Sequence, residues 1–153
     1  MTAQIRMATK DDQARIIAFL QASELPTSDL AECQPEFVLV EDGAELVGTG
    51  GVQIFGDAAL LRSVAIAKDR RKSGLGSSLL ADLERHAAAR GIRELVLLTQ
   101  TAEQFFARHG YARIDRANVP ALIQTTAEFR SLCPTSAVCM SKRLAGNCFG
   151  LKA

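Results

Sequence analysis

A strand, a basic loop and a helix follow one another without interruption in this sequence, and this succession limits the fold more than any other feature. Residues 59–67 are apolar apart from Arg62 and Ser63, which predicts a buried strand. Residues 71–77 then read Arg-Lys-Ser-Gly-Leu-Gly-Ser. Leucine and alanine recur at helical spacing after the loop, and a basic turn with a glycine ends this helix near residue 91. The helix has one apolar face, so we expect it to pack on a sheet.

The loop predicts a binding site for phosphate groups. The first N–H groups of a helix have no partner within it, and the helix dipole adds about half a positive charge there, so both attract an anion. Gly74 and Gly76 let the backbone approach such a ligand closely. Two cationic side chains beside the same donors suit a diphosphate better than a free carboxylate. We expect a pyrophosphate to contact Arg71, Lys72, Ser73, Gly74, Leu75, Gly76 and Ser77.

Two common nucleotide-binding patterns do not fit this loop. The dinucleotide pattern Gly-x-Gly-x-x-Gly requires a third glycine where Leu79 stands. The Gly-x-x-x-x-Gly-Lys spacing of a P-loop is absent. A basic turn with two glycines and no ligand is the alternative that stays open.

The rest of the pattern predicts a mixed sheet. Asp42-Gly43 lies between two apolar runs, which indicates a β-hairpin, and Gly56-Asp57 turns the chain into the strand at 59–67. Predicted helices cover 9–24, 75–91, 102–109 and 119–132, with a short helix or loop from residue 26, and predicted strands cover 37–40, 45–55, 59–67, 94–99, 111–115 and 137–142. We expect an α/β (α+β) fold whose mixed central sheet has about six to seven strands and helices on both faces.

The order of these motifs resembles one known superfamily. The strand, the Arg-x-x-Gly-x-Gly loop, the long helix and the strand at 94–99 resemble the acetyl-CoA motif of the GNAT N-acetyltransferases. Residues 105–111, Phe-Phe-Ala-Arg-His-Gly-Tyr, are similar to that superfamily's next element. The resemblance implies the GNAT fold and acetyl-CoA as cosubstrate, whose thioester an amine attacks. It also implies that the backbone at Val64, Ala65 and Ile66 holds the pantetheine arm, with the Val64 N–H as donor to the oxyanion.

Two positions depart from the acid and base groups common in that superfamily. Phe106 stands where many relatives carry a tyrosine, and Arg62 stands where many carry a glutamate. The one tyrosine, Tyr111, is predicted to be a core aromatic residue. An α-amino group titrates near ~8 and is partly neutral at cellular pH, so water can remove its proton. Whether a side chain acts as acid or base stays open.

Arg62 indicates an acceptor that carries a carboxylate or a tetrahedral anion, because the guanidinium fork binds such groups through two hydrogen bonds. The alternatives are that Arg62 forms a structural ion pair or faces solvent. Thr101 and Gln104 predict a capping box at a helix start. Thr99 is therefore the better candidate for the acceptor pocket.

Two narrower resemblances favour acceptors related to glutamate. Residues 97–101, Leu-Leu-Thr-Gln-Thr, and residues 136–138, Ser-Ala-Val, look like parts of the acetyltransferase domain of N-acetylglutamate synthases. Residues 61–63 and 128–140 resemble an N-acetyltransferase family encoded among arsenic-resistance genes, a similarity that extends over about residues 4–144.

These resemblances predict transfer of the acetyl group of acetyl-CoA to the α-amine of a small acidic amino acid or a toxic glutamate analogue. The synthases imply that Ser136 touches the acceptor carboxylate, although Pro134 stands where they place an arginine. The expected acceptor contacts are Arg62, Ser63, Thr99 and Ser136. Two other functions stay open: an acetyl-CoA-binding sensor of arsenicals with little turnover, and acetylation of a protein N-terminus.

Composition limits the partners. The 153 residues suffice for one domain, which we expect over residues 1–144, followed by a flexible tail at 145–153. Eighteen basic and 17 acidic residues give a net charge of +1, which does not favour nucleic acid or an anionic membrane. No apolar stretch approaches the roughly 20 residues that span a bilayer, and no signal-peptide pattern begins the chain. We expect a cytoplasmic protein with a small-molecule substrate, and the resemblance adds a homodimer as an open expectation.

The cysteines and histidines indicate no metal site. The four cysteines are Cys33, Cys133, Cys139 and Cys148. They form no Cys-x-x-Cys pair, so we expect free thiols and no bound metal. His86 and His109 are predicted to be structural. Whether the cysteines bind arsenic stays open.

Overall fold

A seven-stranded sheet is the framework of the computed structural model, which describes residues 3–71, 73–133 and 136–144. The strands are Ala3–Met7 (β1), Glu36–Asp42 (β2), Glu45–Phe55 (β3), Ala58–Ile66 (β4), Glu94–Thr99 (β5), Ala112–Arg113 (β6) and Val138–Arg143 (β7). The α-helices are Gln13–Ala22 (α1), Leu30–Cys33 (α2), Leu75–Ala89 (α3), Glu103–Arg108 (α4) and Ala121–Gln124 (α5). Turns of 3-10 helix lie at Lys10–Asp12, Lys68–Arg70 and Arg116–Asn118, and a π-helical turn lies at Glu128–Leu132.

The strand order is β1-β2-β3-β4-β5-β7-β6. Strand β1 pairs with β2, β2 with β3, and β7 with both β5 and β6 in antiparallel fashion, whereas β4 and β5 run parallel. The predicted mixed sheet is therefore confirmed. Both predicted turns are also confirmed, with Gly43 at φ 63° between β2 and β3 and Gly56 at φ 65° between β3 and β4.

Helices α1 and α3 cover opposite faces of the sheet. A Cβ added to Gly50 of β3 would overlap the side chain of Leu83 in α3. A Cβ added to Gly51 would instead lie 3.2 Å from the ring of Phe37, which packs with Ile16 of α1. Adjacent residues of a strand face opposite sides of a sheet. The predicted placement of helices on both faces is thereby confirmed.

The chain forms two compact units. The first comprises the residues up to Gln53 together with Arg62–His86, and the second comprises Ile54–Leu61 together with the residues from Ala87 onward. The second unit has its own core of Ala58, Leu60, Val96, Val119, Ile123 and Cys139. Among the described residues, no helix combines the length and apolar character needed to cross a membrane. The single domain over 1–144 stays a prediction, and the tail at 145–153 lies outside the described residues.

Three elements differ from the sequence prediction. Strand β1 was not expected, because its five residues include only two large apolar side chains. The single helix expected over 119–132 is wrong, since α5 stops at Gln124 and a separate π-helical turn follows. Thr125 and Thr126 donate their hydroxyls to carbonyls of the preceding turn and so compete with the helical N–H groups. The strand expected over 111–115 is reduced to the two residues of β6.

Candidate functional site

The loop between β4 and α3 presents the N-terminus of α3 at the surface. Gly74 has φ 85°, a left-handed conformation that glycine adopts without a steric penalty. The N–H of Ser78 donates to the carbonyl of Gly74 at 3.1 Å, which marks the first turn of the helix. Ser73, Gly74 and Ser77 are exposed. The first turn is therefore accessible, and a pyrophosphate contact there stays a prediction. Lys72 lies outside the described residues.

The two arginines before the loop differ in their partners. Arg70 lies against the end of the β2–β3 hairpin, with its guanidinium 2.5 Å from Asp42 and 3.3 Å from Glu45. These carboxylates offset its charge. Arg71 is exposed and donates from Nε to the carbonyl of Ile66 at 3.1 Å. A carbonyl is neutral, so this contact fixes the side chain and leaves its positive charge for a ligand.

The backbone of β4 offers donors on one defined edge. The N–H of Ala67 donates to the carbonyl of Val47 in β3 at 2.8 Å. Successive N–H groups of a strand point to alternate edges, so the N–H groups of Ile66 and Val64 point to the edge opposite β3. Ala65 between them is buried. Two parallel donors on one edge fit the predicted contacts with an oxyanion and a pantetheine amide.

Strand β4 contains a backbone kink immediately before these donors. Ser63 has φ 57°, a left-handed conformation that costs a residue with a side chain about 1–3 kcal/mol. Its carbonyl accepts the hydroxyl of Thr49 in β3 at 2.9 Å, and Thr49 is fully buried. Its hydroxyl lies 3.3 Å from Nε of Arg62. The conformation of Ser63 is thus held by one contact on its carbonyl and another on its side chain.

Arg62 lies at the centre of a buried polar cluster. Its guanidinium makes two hydrogen bonds to Asp29, at 2.6 and 2.8 Å, and contacts Oε1 of Gln53 at 3.3 Å and Sγ of Cys33 at 3.6 Å. The Arg62 side chain has no exposed surface. Burial by itself favours the neutral form of Asp29 and raises its pKa. The hydrogen bonds and the charge of Arg62 outweigh burial, so the pKa of Asp29 is lowered. Burial raises the pKa of Cys33 to about 11, so this thiol is protonated at neutral pH.

The ion pair is one of the roles that the sequence left open for Arg62. Direct contact between Arg62 and an acceptor carboxylate stays a prediction. Such a contact requires the acceptor carboxylate to share with Asp29 the N–H donors of the Arg62 guanidinium. Ser63, the neighbouring predicted contact, is only 8% exposed.

The other predicted acceptor contacts belong to the second unit. Thr99 ends β5, and its Oγ1 accepts the N–H of Ala102 at 3.0 Å. Ala102 is the residue that precedes α4, so the prediction of Thr101 as the cap is wrong. Thr99 reaches the helix start because its hydroxyl is three residues before that N–H. Ser136 is exposed. Roles of Thr99 and Ser136 toward an acceptor stay predictions.

The aromatic residues that follow β5 are packed in the interior. Phe106 and Tyr111 are 5% and 3% exposed, and their rings meet edge to face with centroids 5.5 Å apart. Lys142 lies with Nζ 5.6 Å from the centre of the tyrosine ring. The prediction that Tyr111 is a core aromatic residue is confirmed.

The histidines and the buried Cys139 have structural surroundings. Within the described ranges, no three His, Cys, Asp or Glu side chains are arranged to hold a metal ion. Cys139 is buried in the core of the second unit. His86 lies 2.6 Å from Glu36, and Nδ1 of His109 lies 2.8 Å from a carbonyl of the preceding turn. Cys148 lies outside the described residues.

Three residues of the site were not found from the sequence. Thr49, Asp29 and Gln53 come close to Arg62 and Ser63 only through the pairing of β3 with β4 and the position of the segment before α2. Asp29 and Arg62 are 33 residues apart in the chain, so no local pattern connects them. The run Gly-Thr-Gly-Gly at 48–51 could have indicated Thr49, because glycines within a strand often mark a place where another segment approaches the backbone closely.

Comparison with known proteins identifies the family that the chain matches. The family described as "Acetyltransferase (GNAT) domain" matches residues 34–113, more than half of the chain. The uncharacterized N-acetyltransferase YjcF of Bacillus subtilis is 30% identical over 97 residues, an alignment that covers 61% of this chain and 69% of that protein.

Two solved structures share the fold. N-acetylglutamate synthase from Neisseria gonorrhoeae, complexed with coenzyme A and N-acetyl-glutamate, superposes with a TM-score of 0.80 at 22% identity. The match covers 94% of this chain but 35% of the synthase, so this chain corresponds to about a third of that protein. Rv2747 from Mycobacterium tuberculosis, solved with CoA, has a TM-score of 0.77 at 23% identity and is covered over 99% of its length.

Proposed function

The chain belongs to the GNAT acetyltransferase family, and we propose that it transfers the acetyl group of acetyl-CoA to the α-amine of a small acidic amino acid or a toxic glutamate analogue. The observation that carries this proposal is the exposed N-terminus of α3 behind Gly74, next to the two backbone donors of β4. One part suits a pyrophosphate and the other suits a thioester oxygen.

The residues present fit acetyl-CoA. Its pyrophosphate would lie on the first turn of α3, held by the backbone from Ser73 to Ser77 and by the charges of Arg71 and Lys72. The bound thioester supplies the activated acetyl group. The N–H of Val64 would donate to the carbonyl oxygen on which negative charge develops, which lowers the barrier by about 3 kcal/mol for one such donor.

An acidic acceptor is supported by the synthase that shares the fold, which was solved with N-acetyl-glutamate. The toxic glutamate analogue rests on the sequence resemblance to acetyltransferases encoded among arsenic-resistance genes. Arg62, Ser63, Thr99 and Ser136 are the proposed acceptor contacts. Since Asp29 already pairs with Arg62, we expect an acceptor carboxylate to compete for the donors of that guanidinium.

The test is release of coenzyme A thiol from acetyl-CoA against a panel of acceptors. The panel holds glutamate, aspartate, glutamate analogues bearing phosphorus or arsenic, glutamine and short peptides. We expect saturable release with one acidic acceptor and little with glutamine. Release with peptides alone would support acetylation of protein N-termini instead.

Substitution of Arg62 tests its contact with the acceptor. Lysine keeps the charge but cannot bind a carboxylate through two parallel hydrogen bonds. We expect Arg62→Lys to raise KM for the acidic acceptor by roughly tenfold, with KM for acetyl-CoA nearly unchanged. An equal loss toward acetyl-CoA would show that Arg62 does not select the acceptor. Arg113→Lys, at an exposed ion pair with Glu103, is the matched control.

Tight binding of acetyl-CoA without turnover of any acceptor would favour the sensor of arsenicals. The raised thiol pKa values of Cys33 and Cys139, both caused first by burial, give this alternative little support, because metalloids bind thiolates.

A further inference from the structure

The kink at Ser63 is the one described position of β4 with a left-handed backbone, and it directly precedes the proposed donors. A serine at φ 57° is strained, because its Cβ approaches the backbone more closely than in an extended strand. Such a conformation persists only when surrounding groups hold it. The strained conformation of Ser63 at a proposed reaction centre therefore depends on the groups that contact this residue.

Thr49 is the strongest of these groups. Its hydroxyl donates to the carbonyl of Ser63 at 2.9 Å, and the residue is fully buried, so water cannot take over this bond. The glycines on either side of Thr49 leave room for neighbouring side chains: a Cβ at Gly48 would lie 2.8 Å from Ile66, and one at Gly50 would overlap Leu83. Strand β3 is the neighbour of β4 in the sheet, so Thr49 reaches the kink.

Nε of Arg62 makes the second contact, with the hydroxyl of Ser63 at 3.3 Å. This contact is fixed in turn by the paired carboxylate of Asp29. The peptide group after Ser63 carries the N–H of Val64. A rotation about the bonds of Ser63 into an extended conformation would therefore turn that N–H away from its present direction.

We propose that Thr49 is a positioning residue for acetyl transfer, which holds Ser63 in its left-handed conformation and so directs the N–H of Val64 toward the reacting carbonyl oxygen. This inference rests on the proposed acetyltransferase function. Thr49 itself touches neither acetyl-CoA nor acceptor. Its loss should act on the transition state and not on binding, because the pyrophosphate site is formed by other residues.

The test compares three variants of the full chain. Thr49→Val keeps the branched shape and removes the hydroxyl, whereas Thr49→Ser keeps the hydroxyl. Thr126→Val is the matched control, because Thr126 is also buried and also donates its hydroxyl to a carbonyl, that of Ile123 at 2.7 Å. We expect Thr49→Val to lower kcat by roughly ten- to a hundredfold, with the Kd for coenzyme A within about twofold of the unsubstituted chain. Thr49→Ser and Thr126→Val should keep kcat within about threefold.

A crystal structure of Thr49→Val gives a second readout that does not depend on turnover. We expect Ser63 to move to a negative φ. If φ stays near 57°, or if kcat is unchanged, or if Thr49→Ser loses as much activity as Thr49→Val, the inference is wrong. Thr49→Ala replaces Thr49→Val in both measurements if the valine variant does not fold. If the unsubstituted chain neither binds coenzyme A nor turns over any acceptor, the proposed function fails, while φ of Ser63 still decides whether Thr49 holds the kink.

Discussion

The ion pair between Asp29 and Arg62 shows how this chain buries charge. The side chains are 10% and 0% exposed, and two hydrogen bonds join them. Gln53 and Ser63 accept further bonds from the same guanidinium. No buried side-chain nitrogen or oxygen among the described residues lacks a hydrogen-bond partner. A buried pair adds little net stability compared with apolar residues, but breaking it leaves a charge without compensation.

Asp29→Asn should therefore destabilise the protein strongly. The amide keeps the size of the carboxylate but removes the negative charge that faces the buried Arg62 guanidinium, so the free energy of unfolding should fall by about 3–5 kcal/mol at pH 7. Urea unfolding measures this value. Glu103→Gln breaks an ion pair of the same type, with Arg113, whose side chains are 37% and 67% exposed. That control should cost much less, because solvent screens an exposed pair. Equal losses in both variants would mean that burial does not govern the strength of the pair.

The same pair makes stability depend on pH. Arg62 holds the pKa of Asp29 below its ordinary value, so the unfolded chain takes up a proton there before the folded chain does. The stabilisation is complete above the unfolded pKa of about 3.9 and is lost as the pH falls through the lower folded pKa. The stability difference between the unsubstituted chain and Asp29→Asn should be smaller at pH 3 than at pH 7. A constant difference across this range would contradict the assignment.

Among the elements, the contact of α3 with β3 depends on the absence of a side chain at Gly50. A methyl group there would overlap Leu83, which is fully buried and has no route to solvent. Gly50→Ala should lower the free energy of unfolding by about 1–3 kcal/mol through overpacking. In a Leu83→Ala background the same change should cost little, because the space is then free. Urea unfolding of the four chains measures this coupling, and simple additivity of the two losses would show that the methyl group is accommodated elsewhere.

The two ends of α3 allow a direct test of the loop. Gly74 at its start and Gly91 after its end have nearly the same φ, 85° and 83°, and a Cβ at either position meets no atom within 4 Å. Alanine should therefore cost each position a similar backbone strain of about 1–2 kcal/mol. Only Gly74→Ala should also weaken acetyl-CoA binding, by roughly tenfold or more, since it alters the turn that presents the helical N–H groups. Calorimetric titration compares them, and equal affinities would remove the loop from the binding site.

The helices and strands could be predicted where the sequence pattern is local. The contacts of the site could not be predicted where they join residues that are distant in the chain. The strand at 59–67 and the helix after it follow from apolar spacing and a glycine stop within some thirty residues. Asp29 could not be assigned to Arg62, because their contact depends on how the segment before α2 lies against β4. The kink at Ser63 leaves no sequence signal, since glycine is the residue expected at positive φ.

For the whole molecule, ligand attraction has to come from local groups, because the net charge is only +1. Arg70 near the loop is offset by Asp42 and Glu45. The N-terminus of α3 and the exposed Arg71 are local groups that can attract an anion. These groups recognise phosphate, so the nucleotide half of acetyl-CoA should provide most of the binding free energy.

Thermal unfolding measures how much of the binding free energy comes from the nucleotide half of acetyl-CoA. A ligand at a hundred times its Kd stabilises the folded chain by about 2.7 kcal/mol, which for a chain of this size raises Tm by roughly 5–10 °C. We expect this rise with acetyl-CoA and a rise of less than about 1 °C with the same concentration of pantetheine, which has no pyrophosphate. Gly74→Ala should reduce the rise with acetyl-CoA, whereas Gly91→Ala should keep it. An equal rise with pantetheine would place the binding free energy along β4 instead of the loop, and no rise with either compound would contradict acetyl-CoA as the cosubstrate.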